Sequence, residues 1–298
     1  MSVVEGARST SWTQRLDVVL FGPGSGRRLV FARTALAALI TARLALSPFR
    51  QLAEVPPALY DPAWVVPWRS GPPSAAVIAL VQVVGVAAGI AAIARWRVRA
   101  TFIVAWVALV VLAGLRTSRG KVLHNDLLLV WCAAPFLLAP VRASWHDTEE
   151  SDEHGWPVRV AMALGALVYF FAGYHKLRRS GLDWALGDNV RYVMLWGPTI
   201  GRARWQSMAT WVGEHLWAAR LTGAYILSVE LFFPVAVVWP KVRWFFVASA
   251  VALHVATWLL LGLDYWTWAA TVLVVFVDWP AVSDRVSDRV SARRQGAG

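Results

Sequence analysis

The sequence predicts an all-α integral membrane protein, a bundle of about eight transmembrane helices. Of its 298 residues, 58% are hydrophobic and only 16% are charged, whereas a soluble domain carries about 25% charged residues. Apolar runs close to the ~20 residues that a helix needs to cross a bilayer recur along the chain. Because these runs use most of the length, we expect one membrane domain and no sizeable soluble domain.

Eight segments are apolar for long enough to be predicted as spans. They are residues 30–47, 74–94, 98–115, 123–141, 157–177, 220–239, 243–262 and 265–279, of which the last is the shortest. The predicted membrane domain therefore covers 29–280, between tails at 1–28 and 281–298. The first tail is polar, and no short apolar region with a small-residue cleavage site follows it, so we expect no removable signal peptide.

The connecting segments differ in composition. The loop at 48–73 contains seven prolines, which cannot donate backbone hydrogen bonds, so an ordered or interfacial loop is expected rather than a helix. Segment 145–155 is acidic and is predicted to be solvated. Segment 178–219 carries five tryptophans and favours short interfacial helices. Gly85 and Gly89 form a small-xxx-small pattern, which predicts close approach between helices.

The net charge of +11 has to be explained by a partner or by membrane topology. The arginines lie in short loops and tails and form no basic face with a reading motif, so we expect membrane lipid as a partner and no nucleic acid. The tails and the basic turn at 95–99 favour a cell-membrane protein with both termini cytoplasmic. The basic 178–219 loop, which then lies on the opposite side, argues against this orientation.

Ionisable residues inside predicted spans or at their ends are costly and are often functional. Six of them are candidate site residues: His124, Asp126, His175, Lys176, Glu230 and His254. With eight alternating spans, all six belong to the outer half or the centre of the membrane, so we expect them to lie near one another. No metal site is predicted, because the histidines and carboxylates show no paired ligand spacing.

Four of these residues also have a purely structural interpretation. His124 and Asp126 lie where a helix start needs a cap and a negative charge. Lys176 lies at a helix end, from which it could snorkel to the lipid headgroups. His254 could simply hydrogen-bond a neighbour.

Glu230 is harder to explain in this way. A carboxylate among apolar side chains must be paired, neutralised or hydrated. Arg33 and Arg43 of the first span are candidate partners, although both could equally serve the structure near the two ends of that span.

Several short motifs resemble the membrane domain of vitamin K-dependent gamma-carboxylase and the wider, partly bacterial, horizontally transferred transmembrane (HTTM) domain family. They are Tyr169-Phe-Phe-Ala-Gly-Tyr-His-Lys-Leu177 with Trp184 and Gly187 after it, Phe31-Ala-Arg33, His124-Asn125-Asp126 with Pro140, and Glu230-Leu-Phe-Phe-Pro234 followed by Arg243 and His254. The resemblance lies in their order and spacing and covers about residues 28–280.

The resemblance implies a function for these residues. In the carboxylase, a lysine at the matching place is thought to act as the base on vitamin K hydroquinone, so Lys176 is the implied base. His124 and His254 would be its catalytic partners in the same cavity, with Asp126, His175 and Glu230 binding substrate. A vitamin K-like membrane quinol is the implied cofactor. We expect no counterpart of the carboxylase's large luminal portion after the last predicted span, which argues against glutamate carboxylation but leaves a carboxylase-like or quinol-dependent enzyme open.

Two functions remain open at the level of the sequence. One is a membrane enzyme that performs base or oxidative chemistry on a quinol-like or exported peptide substrate. The other is a non-enzymatic membrane binder, transporter or accessory subunit for the maturation or export of a partner. Inverted repeats and broken helices, which transporters commonly show, are not clear in the sequence.

Overall fold

In the computed structural model, residues 12–119 and 124–295 are described. They are almost entirely helical, which confirms the all-α class. The strands among the described residues are two short ones, β1 (Gly24–Ser25) and β2 (Glu150–Ser151), which pair antiparallel. The first eleven residues of the N-terminal tail, the start of the fourth predicted span at 123, and the last three residues of the C-terminal tail lie outside the described residues.

Fourteen α-helices follow one another along the described chain. They are α1 (Trp12–Phe21), α2 (Gly26–Leu46), α3 (Ala75–Ile93), α4 (Val98–Thr117), α5 (Leu127–Ala133), α6 (Asp152–Ser180), α7 (Asp183–Leu186), α8 (Asn189–Thr199), α9 (Gln206–Glu214), α10 (Leu216–Phe232), α11 (Val235–Val238), α12 (Arg243–Leu261), α13 (Trp266–Phe276) and α14 (Trp279–Gln295). Short 3₁₀ helices lie at Phe49–Glu54, Pro57–Leu59, Ala134–Leu137 and Pro240–Val242.

Five helical segments are long and apolar enough to cross a membrane, and six if the bent pair α13–α14 counts as one span. The five are Gly26–Leu46, Ala75–Ile93, Val98–Thr117, Asp152–Ser180 and Pro240–Leu261. They correspond to the first, second, third, fifth and seventh predicted spans. The number of eight full spans is therefore not confirmed.

Proline accounts for the three predicted spans that are short or broken. Pro135 lies just after α5, where the α-helix gives way to a 3₁₀ turn. Pro234 separates α10 from α11, and Pro280 follows the 67° bend between α13 and α14. Proline removes a backbone donor and clashes with the preceding turn, so an apolar run can continue where its helix cannot.

The chain nevertheless runs back and forth between two ends of the bundle. At one end, here called the Arg33 end, Arg33 Nη1 donates to the Pro140 carbonyl at 2.7 Å. At the other, the Lys176 end, Arg43 pairs with Asp126 and Asp264. The Arg27–Asp284 ion pair (3.0 Å) places α14 beside the start of α2. Both described ends of the chain are thus at the Arg33 end.

Small residues bring three of the long helices together. A Cβ added at Gly89 would overlap the Thr41 hydroxyl of α2, and one at Gly85 would lie 2.6 Å from the Ala108 Cβ of α4. The predicted close approach at this pair of glycines is therefore confirmed. The opposite face of α3 turns outward, with Leu80 63% exposed, as expected for a helix that faces lipid.

Two connecting segments differ in how far they follow the sequence predictions. The proline-rich loop is ordered, with Ser118, just after α4, accepting from Asp61 N at 2.9 Å and Ala63 N at 3.0 Å.

The acidic segment 145–155 is more than a solvated loop, since it contains β2 and the start of α6. Ser151 caps that helix by accepting from His154 N at 3.2 Å, and acidic residues in a first turn are favoured by the helix dipole.

A buried network of charges fastens four elements at the Lys176 end. Arg43 of α2 lies 2.5 Å from Asp126 and 2.5 Å from Asp264, and Arg116 of α4 lies 3.1 Å from Asp126. Asp126 stands at the N-cap position of α5, but its side chain makes no capping hydrogen bond. The interpretation of Asp126 as a helix cap is therefore wrong. Its carboxylate neutralises two arginines instead.

Replacing Asp126 by Ala should strongly destabilise the protein. The change leaves Arg43, whose side chain is 2% exposed, facing only the more solvated Asp264. Loss of one partner of a buried ion pair costs about 3–5 kcal/mol. The measurement is thermal unfolding of the detergent-purified protein. Asp188→Ala is the control, because its 3.7 Å pair with Arg191 is exposed and should contribute less than ~1 kcal/mol. Equal melting of both variants would contradict a stabilising network.

Candidate functional site

A cavity of about 380 Å³ lies at the Lys176 end, between α6, α8, α10 and α12. Most of its wall is apolar, with Val190, Ile226 and Leu253 among the lining residues. A few polar groups converge on it: His124, Lys176, Asn189, Glu230, His254 and Tyr265. Mostly apolar walls with a few placed polar groups are typical of small-molecule binding sites.

Lys176 and Glu230 form an ion pair on the cavity wall, through Nζ and Oε1. The pair is formed because α6 and α10 approach closely at Gly173, where an added Cβ would lie 3.0 Å from the Glu230 Cβ. The ammonium also lies 4.7 Å from the ring centroid of Trp184, a cation–π contact. Lys176 therefore points inward, and the snorkelling interpretation is wrong.

Glu230 is almost fully enclosed, with a side chain 8% exposed. Its Oε1 pairs with Lys176, while Oε2 has no hydrogen-bond partner among the described residues. The suggestion that Arg33 or Arg43 pairs with Glu230 is wrong, because Arg43 binds Asp126 and Arg33 binds a carbonyl at the other end of the bundle. One carboxylate oxygen is thus buried without a hydrogen-bond partner among the described residues.

His254 and Tyr169 form a second polar pair beneath the ion pair. Tyr169 Oη lies 2.8 Å from His254 Nε2, in a buried contact. The ring of Tyr169 stacks on Phe233 at 4.2 Å between centroids, which holds the phenol in place. The hydrogen-bonding interpretation of His254 is confirmed, but its Nδ1 has no partner among the described residues, so this histidine still has one ring nitrogen for a ligand.

His124 and Tyr265 form a third pair at the cavity mouth. Tyr265 Oη lies 2.9 Å from His124 Nε2, and Trp268 Nε1 donates to the Asn125 carbonyl at 2.9 Å. The pair therefore holds an imidazole and a phenol in contact at the cavity mouth.

Two short helices, α7 and α8, form one side of the cavity. Trp184, Asn189 and Met194 of these helices line it. Helix α7 packs tightly on α10, since a Cβ at Gly223 of α10 would lie 2.7 Å from the Ala185 carbonyl oxygen. The prediction of short helices in segment 178–219 is confirmed.

The structure gathers four of the six sequence-predicted site residues around the cavity, and two lie elsewhere. Lys176, Glu230, His254 and His124 line it. Asp126 does not line it, because its carboxylate is held by Arg43 and Arg116. His175 is exposed and lines an adjoining apolar groove of about 560 Å³ against α5, which shares Lys176 and His124 with the cavity. Among the described residues, no group of three His, Cys, Asp or Glu side chains is arranged to hold a metal ion.

Sequence reasoning missed the two tyrosines that complete the histidine pairs. Tyr169 precedes Lys176 by seven residues, which is two helical turns and therefore the same face. That spacing could have identified it. Tyr265 follows a helix break next to Asp264, and no periodic pattern marks it.

Comparisons with known proteins do not identify this site. No protein-family model matches this chain, and neither does any curated protein or solved structure.

Gly173→Ala should loosen the contact that sets the ion pair. The new Cβ would lie 3.0 Å from the Glu230 Cβ and 3.1 Å from the Leu231 backbone nitrogen, so α10 must shift. Overpacking of this kind costs about 1–3 kcal/mol, which thermal unfolding in detergent will measure. Gly71→Ala is the control, since nothing lies within 4 Å of its added Cβ. A Gly173→Ala protein that melts with the wild type would rule out this helix contact.

Proposed function

We propose that this chain is a membrane enzyme of the HTTM, gamma-carboxylase-like type that acts on a small lipophilic quinol, with Lys176 as its base. The observation that carries the proposal is the Lys176–Glu230 ion pair on the wall of an apolar cavity. Ionisable groups at such a place are costly and therefore favour a functional role. Two histidine–tyrosine pairs on the same cavity supply further hydrogen-bonding groups.

The ion pair can act as a proton store. If the Lys176 ammonium passes a proton to Glu230, the pair becomes a neutral amine and a carboxylic acid. The amine can then accept the proton of a bound quinol hydroxyl, which leaves a quinolate beside the new ammonium.

The histidines are suited to orienting the quinol. His254 Nδ1 and Glu230 Oε2 are buried and have no partner among the described residues, so a ligand hydroxyl that reached them after a small side-chain shift would satisfy both. A neutral imidazole at His124 can accept as well as donate a hydrogen bond. A cavity of about 380 Å³ is within the range of small-molecule sites, roughly 300–1,000 Å³. This favours a quinol ring over an exported peptide as the occupant.

We also propose a membrane arrangement with eight crossings and both termini cytoplasmic. The crossings would be α2, α3, α4, α5, α6, α10–α11, α12 and α13, three of them short or broken at prolines. Supporting this, both described chain ends lie at the Arg33 end of the bundle. The basic turn at 95–99 and Lys241 follow helices that return to the same end, as the positive-inside rule favours.

A non-enzymatic binder is the second candidate function. Its specific support is that Lys176 is already paired with Glu230 and stacked on Trp184. An ammonium held in this way recognises a ligand oxygen without exchanging a proton. Turnover separates this candidate from the enzyme.

Lys176→Met should abolish turnover. Because it leaves the buried Glu230 without its partner, it should also lower the Tm, so turnover and ring binding are compared on the folded fraction. The full chain in lipid nanodiscs is given a naphthoquinol, and oxygen uptake is recorded. Loss of a general base lowers rates about 10²–10⁴-fold. Quenching of tryptophan fluorescence by the naphthoquinone measures binding, because Trp184 and Trp268 line the cavity.

Two controls make this result decisive. Arg178→Gln removes an exposed charge two residues away and should leave oxygen uptake unchanged. Glu230→Gln should lower oxygen uptake as well, because the amide cannot take the proton of Lys176. Full activity of Lys176→Met would exclude Lys176 as the base. Binding without turnover in the wild type would establish the binder instead.

A further inference from the structure

Three arginines converge on one stretch of backbone at the Arg33 end, far from the cavity. Arg33 of α2 donates to the Pro140 carbonyl at 2.7 Å, Arg95 to Ala143 at 2.5 Å, and Arg99 of α4 to Ala139 at 3.2 Å. These carbonyls belong to the irregular segment that follows α5 and its 3₁₀ turn. The three side chains come from separate helices and from the α3–α4 turn.

The positive charge of this cluster is uncompensated. Within the described parts of the chain, no carboxylate lies within 4.0 Å of these three guanidinium groups, although seven other ion pairs are formed. The nearest acidic residue along this segment is Asp147, and its carboxylate already accepts from Ser144 N at 2.6 Å. Arg95 and Arg99 are also close enough to Arg33 to repel it.

Arg33 is the member that most needs a counter-charge. It is 3% exposed, and its Nη2 has no hydrogen-bond partner among the described residues. The backbone it contacts cannot neutralise the cluster. The carbonyls of this irregular segment carry only partial negative charge, whereas the three guanidinium groups carry three full positive charges. Most of that charge, including the charge of the buried Arg33, therefore remains uncompensated by the described residues.

We propose that this cluster, Arg33 with Arg95 and Arg99, binds a phosphate group at the membrane face of the Arg33 end. Arg99 is exposed and Arg95 is half-buried. Each guanidinium donates to one backbone carbonyl, which leaves its other N–H groups to bind a phosphate. Arg33 lies behind them, and its positive charge attracts the phosphate without contacting it. The phosphate belongs to a lipid headgroup or comes free from solution.

Surrounding side chains favour the lipid. Trp96 is 59% exposed beside Arg95, and Trp145 is 42% exposed just after the contacted carbonyls. Tryptophan is enriched where a protein meets lipid headgroups. Arg97, stacked on Trp96 at 5.4 Å, and the exposed Arg142 add positive charge to the same face. This site is independent of the proposed quinol chemistry, since the two lie at opposite ends of the bundle.

The test compares four forms of the full chain in a neutral detergent: wild type, the double variant Arg95→Gln with Arg99→Gln, the single variant Arg99→Gln, and a control, Arg178→Gln with Arg179→Gln. The control removes the same charge from exposed positions at the Lys176 end. Thermal unfolding is followed during titration with short-chain phosphatidylglycerol, with short-chain phosphatidylcholine, or with inorganic phosphate at constant ionic strength.

The site is supported if phosphatidylglycerol raises the Tm of the wild type and the control, while phosphatidylcholine does not. The apparent affinity should fall at least about tenfold in the double variant, as expected for the loss of charge-assisted hydrogen bonds, and by a smaller factor in Arg99→Gln. If the double variant does not fold, the single variant decides. An equal response to inorganic phosphate identifies free phosphate as the source. Equal shifts in wild type and Arg99→Gln, or no shift with either anion, would overturn the proposal.

Discussion

The pairing of buried charge is the constraint on which the Lys176 end of this molecule depends. Arg43 lies in the last turn of α2 and its side chain is 2% exposed, so it requires carboxylates. It takes one from the start of α5 and one from the loop before α13. Asp126 is two residues after His124, and Asp264 is next to Tyr265. The network therefore fixes the two backbone segments that carry the polar groups of the cavity mouth.

The cavity follows from a second pairing of the same kind. Glu230 lies among apolar side chains of α10 and is tolerated because Lys176 of α6 is present. Glycine at position 173 lets the two backbones approach. The stack of Tyr169 on Phe233 closes the space below the pair. The contacts that stabilise these polar residues do not use all of their hydrogen-bonding atoms. Glu230 Oε2 and His254 Nδ1 are both left without a partner among the described residues.

The sequence predicted the long helices where apolar composition alone determines them. It did not predict where proline breaks a helix or which side chains pair. The span predicted at 30–47 is the helix Gly26–Leu46, but the one predicted at 220–239 is divided at Pro234. Depth along alternating spans correctly grouped Lys176, Glu230, His254 and His124. It could not choose the partner of Glu230, because depth does not say which faces of two helices meet. For the same reason, depth could not separate His175 from Lys176. The two are adjacent in sequence, but Lys176 points toward the cavity while His175 is exposed.

The two arginines of α2 show that burial alone does not determine how a charge is satisfied. Arg33 and Arg43 are ten residues apart on one helix, and both are at most 3% exposed. Arg43 has two carboxylates, and Arg33 has one carbonyl and two like-charged neighbours. Apolar surroundings cannot stabilise the second arrangement by themselves. Because Arg33 lies about 10 Å from the start of α2 at 1.5 Å per residue, headgroup anions are within reach of its cluster. Lipid headgroups can therefore supply the counter-charge at the Arg33 end, whereas at the Lys176 end the protein's own carboxylates supply it.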